Sequence, residues 1–318
     1  MRNYVSEENY GETMEKKVMP YLSGFRRDGF FESFDGKKLH YAAFCRPQSR
    51  GSVTICHGYT ESIEKYRELI YVFLRAGFDT WIWEQRGHGT SYREAEDTTV
   101  THVGHFSEYA EDLAAFAAFA RKDMKKPRFL YGHSMGGAVA ALYLESGSRF
   151  FCRAVLSSPM IAPSGKSTSV FAAKLLCRAK KLLGQGKSRV FFYKPYPGHE
   201  DFGDAFCSSE ERFNYYEKIK SSRREFQNYS PSYSFMLESA NAQKKILRRG
   251  AVERIAVPVK VFVSENDPSV RRKEQEIFAG RLRNGSLVAV RGTKHEIYKA
   301  GDKVLFPYLD AVLDFFGE

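Results

Sequence analysis

Short apolar runs and amphipathic stretches alternate along most of this 318-residue chain, and this alternation limits its possible folds more than any other feature. Runs that are apolar almost throughout are typical of strands buried on both faces of a parallel sheet. Strands are predicted at 38–45, 52–56, 78–83, 128–132, 153–157, 259–264 and 286–290. Helices are predicted at 61–76, 107–122, 136–146, 272–283 and 302–316. The pattern therefore predicts an α/β fold, with a mostly parallel central sheet covered by helices on both faces.

The alternation changes character at two places. In 29–44 (GFFESFDGKKLHYAAF), an Asp-Gly pair separates two strand-like runs, which predicts an antiparallel hairpin at the sheet edge. From Pro159 to about residue 231 the strand–helix rhythm is lost, and it resumes with a predicted helix at 232–249. We therefore expect an inserted, mainly helical cap, here called the cap segment. The expected division is an N-terminal extension (1–24), a first core part (25–158), the cap segment (159–231) and a second core part (232–318).

Composition restricts the class of protein. The start of the chain is polar and acidic, unlike a secretory signal, and the apolar run at 113–120 is too short to cross a bilayer. The five cysteines form no CxxC pair and no zinc-binding spacing, so we expect reduced thiols and no metal site. These features predict a soluble, cytoplasmic protein. The cysteines are Cys45, Cys56, Cys152, Cys177 and Cys207.

The net charge of +11 is concentrated in one part of the chain. Residues 161–250 hold 17 Lys and Arg against 8 Asp and Glu, which is most of the excess. Such a basic segment suits an anionic membrane surface or a phosphate-bearing ligand, although a solvated surface that only aids solubility has the same composition. No nucleic-acid partner is expected, because no recognition module is present and aromatic residues are not interleaved with the basic ones.

The stretch RFLYGHSMGGA at 128–138 places a lone serine between a predicted strand and a predicted helix. Gly132 and Gly136 flank Ser134 at two residues on either side, where a sharp strand-to-helix turn leaves no room for larger side chains. This is the pattern of a nucleophile elbow, in which the serine oxygen is exposed at the carboxyl edge of the sheet. The alternative is an ordinary glycine-rich loop, and the rest of the chain discriminates between the two.

A nucleophilic serine needs a base, and the base needs an acid that orients it. Asp267 follows the predicted strand 259–264, and His295 follows the strand 286–290. The order serine, aspartate, histidine is the one expected for this type of fold. The competing acid is Glu265, which lies closer to its strand. The competing bases, none of which follows a late strand, are His102, His105 and His199.

Two backbone N–H groups are expected to hold an oxyanion. One belongs to Met135, directly after the serine, and the second to Tyr59, in the loop that follows strand 52–56. His57 and Gly58 begin this loop, and together with His133 they are expected to line the site. A plain turn is the alternative interpretation of the His-Gly pair. For the WEQRGHGTS stretch at 83–91 we favour a rigid hydrogen-bonded turn over a chemical role.

Six motifs together resemble one family. They are HGYTES, EQRGHGTS, GHSMGG, VLSSPM, SENDPSV and KHEIY. Over residues 25–316 the chain resembles the α/β-hydrolases, most of all the serine aminopeptidase S33-type branch that contains monoacylglycerol lipases and bacterial lysophospholipase L2-type enzymes. The resemblance implies the α/β-hydrolase fold, a serine ester hydrolase that needs no cofactor, and a lid-like cap over an acyl pocket.

The resemblance also implies roles for individual residues. It makes Ser134 the nucleophile, Asp267 the acid and His295 the base, with oxyanion donors Met135 and Tyr59. One departure concerns Tyr59, because small residues often follow the His-Gly pair in the family. A bulky side chain there is expected to narrow the pocket or change the acyl preference.

The composition of the cap segment indicates which substrate to expect. Its stretch at 169–183 mixes apolar and basic residues at helical spacing. We favour a roof over the acyl site, which is compatible with contact with an anionic membrane at its inner face. The basic excess favours a lysophospholipid over a neutral monoacylglycerol as the lipid-like ester. A monoacylglycerol lipase or general carboxylesterase is the alternative. Two further alternatives are a peptidase and a non-catalytic binding protein on the same fold.

Overall fold

The computed structural model describes residues 4–164 and 167–317, and for 167–170 only the backbone. Its main sheet has eight strands in the order β1-β2-β4-β3-β6-β7-β9-β10. Strands β3, β4, β6, β7, β9 and β10 are parallel, whereas β2 is antiparallel to both β1 and β4. These strands are β1 Arg26–Glu32, β2 Lys38–Phe44, β3 Ser52–Cys56, β4 Asp79–Trp83, β6 Arg128–His133, β7 Arg153–Ser157, β9 Val259–Ser264 and β10 Gly285–Val290. The mostly parallel sheet and its antiparallel edge hairpin are confirmed.

The predicted helices are also present, with small shifts at their ends. The stretch predicted as a helix from residue 61 begins as a 3₁₀ turn, Ile63–Tyr66, before α3 starts at Arg67. The helices are α1 Tyr10–Thr13, α2 Met19–Ser23, α3 Arg67–Arg75, α4 Ser107–Ala120, α5 Met135–Leu144, α6 Ser167–Leu182, α7 Glu210–Ser222, α8 Tyr233–Ile246, α9 Arg272–Arg281 and α10 Asp302–Gly317. None of the helices in the described ranges is both long and apolar enough to cross a membrane.

Two hydrophobic cores lie on opposite faces of the sheet. One contains side chains of α4, α5, α8 and α9, and the other those of α3, α10 and the N-terminal helices. Successive side chains of β4 point to opposite faces of the sheet: Trp81 and Trp83 belong to the first core and Ile82 to the second. This confirms the prediction that helices cover both faces.

The described part of the N-terminal extension is packed against the second core. Helices α1 and α2 are joined by a π-helical stretch, Met14–Val18. Four apolar residues at intervals of four face inward, each at most 4% exposed: Tyr10, Met14, Val18 and Leu22. No helix is predicted here from the sequence, because the segment is polar overall and its apolar stripe is only one residue wide.

The cap segment contributes α6, α7 and a two-residue strand, β8 (Ser230–Pro231), which pairs with β5 (Val100–Thr101) of the first core part. Helix α7 is fixed by Arg212, whose side chain is fully buried. Its guanidinium donates to Glu68 (Nε to Oε2, 2.9 Å), to Asp302 (Nη2 to Oδ1, 2.9 Å) and to the carbonyl of Val5 (2.7 Å). One buried arginine thus joins α7 to α3, to α10 and to the N-terminal segment.

Candidate active site

Ser134 occupies the sharp turn between β6 and α5. Its backbone has φ 53° and ψ −118°, a conformation that costs a non-glycine residue about 1–3 kcal/mol. The turn brings its neighbours close to other backbone: a Cβ on Gly136 would lie 2.0 Å from the Cys56 carbonyl oxygen, and one on Gly132 would lie 2.9 Å from that of Gly136. Both glycines therefore have the steric reason that the sequence pattern predicts.

A continuous hydrogen-bonded chain connects the serine to two residues far away in sequence. The distance from Ser134 Oγ to His295 Nε2 is 2.7 Å, and from His295 Nδ1 to Asp267 Oδ2 it is also 2.7 Å. The other carboxylate oxygen, Oδ1, accepts the N–H groups of Ser269 (2.8 Å) and Val270 (3.2 Å), which fixes the plane of the carboxylate. All three groups lie beyond the carboxyl ends of parallel strands, β6, β9 and β10.

The orientation of this chain defines its chemistry. Because Asp267 accepts from the Nδ1–H of His295, the Nε2 lone pair is left to face the serine hydroxyl. An imidazole held in this way can take the hydroxyl proton when the oxygen attacks an electrophile.

The competing acid and the competing bases are not part of this hydrogen-bonded chain. Glu265 turns back to accept the N–H of Gly292 (3.2 Å). His102 pairs with Ser232 (Nδ1 to Oγ, 3.0 Å), and the side chain of His199 is 65% exposed beside Glu217. His105 is exposed as well. In the described part of the chain, none of these four residues forms a hydrogen bond or ion pair with Ser134.

Two backbone N–H groups near the serine have no acceptor among the described residues: those of Met135 and Tyr59. The amides on either side of Tyr59 are both used, since Gly58 N–H donates to Glu61 (Oε2, 2.5 Å) and Thr60 N–H donates to His88 (Nε2, 3.3 Å). Met135 begins α5, so the positive end of that helix also lies here. The arrangement suits stabilisation of an anion formed at the serine.

His57 stabilises the loop that carries Gly58 and Tyr59. It is fully buried, its Nε2 accepts from Gln85 N–H (2.9 Å) and its Nδ1–H donates to the Gly58 carbonyl (2.8 Å). This pattern requires the neutral tautomer, in agreement with burial, which lowers the pKa of the ring. His57 thus fixes the loop through both ring nitrogens, and Gly58 leaves the space that Glu61 fills: a Cβ there would be 2.8 Å from Glu61 Oε2.

His133 lies beside the histidine of the hydrogen-bonded chain, with the ring centroids of His133 and His295 5.0 Å apart. Its Nδ1–H donates to the Ser157 carbonyl (3.2 Å). Burial lowers the pKa of His133 to about 4, so the ring is neutral at neutral pH and does not repel a proton on its neighbour.

Glu61 is the residue that the sequence analysis missed. Its Oε2 accepts from Gly58 N–H and from the Tyr66 hydroxyl, both at 2.5 Å, and its Oε1 accepts from the Tyr298 hydroxyl (2.9 Å). Burial alone would raise the pKa of Glu61, but the ammonium of Lys65 at 3.0 Å and the hydrogen bonds lower it well below its usual range. The sequence feature that could have identified Glu61 is its position: it is an acidic residue three positions after Gly58, in a stretch whose other residues are suited to burial.

The RGHG turn has the structural role that its sequence suggests. Arg86 donates to Asp112 (Nε to Oδ2, 2.7 Å) and to Glu108 (Nη1 to Oε2, 2.8 Å), while His88 accepts from Thr60. The turn thereby supports the loop that carries Tyr59.

The cap segment contacts the loop that holds His295. The Phe206 carbonyl accepts from Glu296 N–H (2.9 Å), and the Phe206 ring centroid is 6.3 Å from that of His295. On the other side, the ring of Tyr59 stacks on Phe235 at the start of α8 (centroids 4.9 Å apart). Tyr59 therefore packs against the start of α8, and its effect on the pocket stays a prediction.

No group of three or more His, Cys, Asp or Glu side chains within the described ranges is arranged to hold a metal ion. The five cysteines, all in the described ranges, are free thiols.

Comparison with known proteins adds to this geometry. Residues 47–302 match the family "Serine aminopeptidase, S33". Lysophospholipase L2 of Escherichia coli K12 is 26% identical over 307 residues, which covers 92% of this chain and 87% of that protein. The monoacylglycerol lipase of Mycolicibacterium smegmatis is 31% identical over 162 residues, covering 49% of this chain and 55% of that protein.

Among solved structures, a carboxyl esterase from Bacillus coagulans superposes with a TM-score of 0.72 at 17% identity, covering 92% of this chain and 98% of that one. A monoglyceride lipase from Saccharomyces cerevisiae superposes with a TM-score of 0.70 at 20% identity, covering 91% and 94%. Both likenesses concern the fold. Since the family match spans most of the chain and the fold agrees, the chain belongs to the serine aminopeptidase S33 family of α/β-hydrolases.

Proposed function

We propose that this protein is a serine hydrolase that cleaves the carboxylic ester of a fatty-acyl lipid, most readily a lysophospholipid. The observation that carries the proposal is the hydrogen-bonded chain from Ser134 through His295 to Asp267, beside two N–H groups without an acceptor in the described residues. That combination supports the proposal, because a nucleophile, a base, an orienting acid and an oxyanion site are what the reaction needs at one edge of the sheet.

The proposed reaction proceeds in two acyl-transfer steps. Ser134 Oγ attacks the ester carbonyl carbon while His295 Nε2 takes the hydroxyl proton, and the N–H groups of Met135 and Tyr59 stabilise the oxyanion. His295 then gives the proton to the leaving alcohol oxygen, which breaks the ester bond and leaves an acyl-serine. A water molecule, deprotonated by His295, attacks the acyl carbon and releases the fatty acid, and the proton returns to Ser134.

The preference for a lysophospholipid is supported by charge and by the extent of the relatives. Residues 161–250, which include most of the cap segment, hold 17 Lys and Arg against 8 Asp and Glu, a composition suited to a phosphate-bearing head group. The lysophospholipase L2 relative extends over the cap segment, whereas the monoacylglycerol lipase relative matches about half of the chain. We propose residues 159–231 as the cap that selects the substrate.

The test of this preference compares kcat/KM for a lysophosphatidyl lipid and a monoacylglycerol with the same acyl chain, both below their micelle concentrations. We expect at least about a tenfold preference for the phosphate-bearing ester, the effect of a favourable interaction of about 1.4 kcal/mol. A preference for the neutral ester would assign the protein as a monoacylglycerol lipase. Efficient cleavage of short-chain esters alone would indicate a general carboxylesterase, and cleavage of aminoacyl anilides alone would indicate a peptidase.

We also propose that the cap segment contacts the anionic inner face of the cytoplasmic membrane. Three large apolar residues of α6 are mostly exposed: Phe171 (72%), Leu175 (60%) and Leu182 (89%). Arg178 lies between them on the exposed side of the helix. The opposite side packs on α8, where Cys177 is fully buried. An exposed apolar stripe with basic neighbours suits a lipid interface better than a roof that is already closed.

A further inference from the structure

A second basic region lies far from Ser134, at the opposite edge of the sheet. It is a surface cavity of about 740 Å³ where β6 and β7 begin. Four positively charged residues and one aromatic residue dominate its lining: Arg121, Lys126, Arg128, Arg149 and Phe150. Because β6 extends from Arg128 to the residue before Ser134, the two regions are about 20 Å apart along the strand. A ligand here is therefore separate from an ester held at Ser134.

The charges in this cavity are not neutralised by the protein. Among the described residues none of the four cations forms a salt bridge with a carboxylate, and no acidic residue lines the cavity. Some arginines elsewhere are paired with carboxylates, such as Arg212 with Glu68 and Arg86 with Asp112. Like charges held together without counter-charges repel each other, and a bound anion relieves that repulsion.

Arg128 is held in a fixed position at the centre of the cluster. Its Nε donates to the Met124 carbonyl (3.3 Å) and its Nη2 to the Arg121 carbonyl (2.7 Å), and its guanidinium carbon lies 4.6 Å from the centroid of the Phe150 ring. These bonds use two of the five N–H donors of the guanidinium. The remaining donors have no acceptor in the described ranges. Burial and the neighbouring Arg121 lower the pKa of Arg128, as expected for a cation that lacks a counter-charge.

We propose that this cavity binds the phosphate group of an anionic ligand. A guanidinium fixed by carbonyl groups and an aromatic ring offers the planar donor pair that matches phosphate oxygens, and the surrounding cations favour a doubly charged group over a single carboxylate. The cavity is larger than one phosphate, so the ligand is expected to be an organic or condensed phosphate, either in solution or as a lipid head group.

The test uses the full chain and isothermal titration with inorganic pyrophosphate at low ionic strength. The Arg121→Gln/Arg149→Gln variant removes two exposed charges from the cavity rim, and its affinity is expected to fall at least tenfold. The matched control, Arg283→Gln/Lys303→Gln, removes two exposed charges elsewhere and is expected to stay within twofold of the original protein. Ser134→Ala is expected to bind pyrophosphate unchanged, which separates this site from the proposed active site.

A second arm identifies the source of the phosphate. Vesicles of phosphatidylglycerol mixed with phosphatidylcholine replace pyrophosphate, and loss of vesicle binding in the cavity variant alone would assign the phosphate to a lipid head group. Equal weakening in the cavity variant and the matched control, in both arms, would overturn the proposal, because it would mean attraction by net charge only. Absence of saturable pyrophosphate binding, together with vesicle binding that the cavity variant retains in full, would overturn it as well, because vesicle binding through α6 does not involve the cavity.

Discussion

At Ser134 the chemistry depends on backbone geometry that two glycines make possible. The serine adopts a positive φ, and the carbonyl groups of Cys56 and His57 lie where a side chain on Gly136 would have to be, the nearest at 2.0 Å. This part of the site was predictable because the constraint is local: a strand, a sharp turn and a helix need small residues at fixed positions. The partners Asp267 and His295 were predictable for a related reason, since each follows a strand of the same sheet.

Glu61 was not predictable in the same way. Its function depends on Tyr298, 237 positions away, and on a buried lysine beside it. Only the folded chain brings these groups together around the amide of Gly58. A spacing rule that looks for a nucleophile, an acid and a base does not include a carboxylate that holds the loop of the proposed oxyanion donor, Tyr59.

We expect Glu61→Gln to reduce kcat about 10- to 100-fold with little change in KM, because a neutral amide holds the Gly58 amide less firmly and the neighbouring Tyr59 N–H loses its position. The measurement is steady-state hydrolysis of a soluble ester, with the folded fraction determined by circular dichroism. Glu12→Gln is the control, since among the described residues Glu12 pairs with Lys16 alone, and that pair is exposed. A normal kcat per folded molecule would contradict the positioning role of Glu61.

At the scale of whole elements, the central strands were the most predictable part of the fold. Strands β3, β7 and β9 begin and end where the sequence predicts, because burial on both faces demands an apolar run of the strand's own length. The N-terminal helices were not predicted. They are stabilised by contacts with the second core and by the Arg212 cluster, and their own sequence carries only a narrow apolar stripe.

Helix α6 leads to a prediction about membranes. Replacing Leu175 and Leu182 together by Ser is expected to weaken binding to phosphatidylglycerol-containing vesicles by at least about tenfold, since burial of each leucine contributes about 1.5–3 kcal/mol. Co-sedimentation with vesicles measures the effect. Hydrolysis of a soluble short-chain ester is expected to be unchanged.

The matched control for this helix is Ile277→Ser/Val288→Ser, which removes two exposed apolar side chains (41% and 37% exposed) outside the cap segment. It is expected to bind vesicles like the original protein. If both double variants bound vesicles as tightly as the original, the proposed contact through α6 would be wrong.

At the scale of the whole molecule, buried histidines make stability dependent on pH. Burial lowers the pKa of four of them: His57, His88, His102 and His133. Between the ordinary pKa and the lowered one, the unfolded chain binds protons that the folded chain does not, so stability falls as pH falls. For His133, with a pKa of about 4 instead of 6.5, the full effect is about 3 kcal/mol.

We therefore expect the free energy of unfolding to decrease from pH 7 to pH 5. Urea denaturation at several pH values measures this decrease. It is expected to be smaller in His133→Asn and unchanged in His199→Asn, because the His199 side chain is 65% exposed. Equal pH dependence in the two variants would show that His133 does not contribute.

The distribution of charge shows which features of the whole molecule can be predicted from the sequence and which cannot. The basic window at 161–250 is visible in the sequence, because its residues are consecutive. The basic cavity is not, since Arg121 follows α4, Arg128 begins β6 and Arg149 lies in the loop before β7, and the three meet only in the folded chain. Net charge follows from the composition alone, whereas a charged binding site depends on which residues the fold brings together.

The central claim is that Ser134 is the nucleophile of an ester hydrolase. Labelling with a fluorophosphonate, followed by peptide mass spectrometry, tests it most directly. We predict one phosphonyl group per chain, attached to Ser134, loss of ester hydrolysis in proportion to labelling, and no label on a folded Ser134→Ala variant. Modification of another residue, or full hydrolytic activity in that variant, would contradict the account.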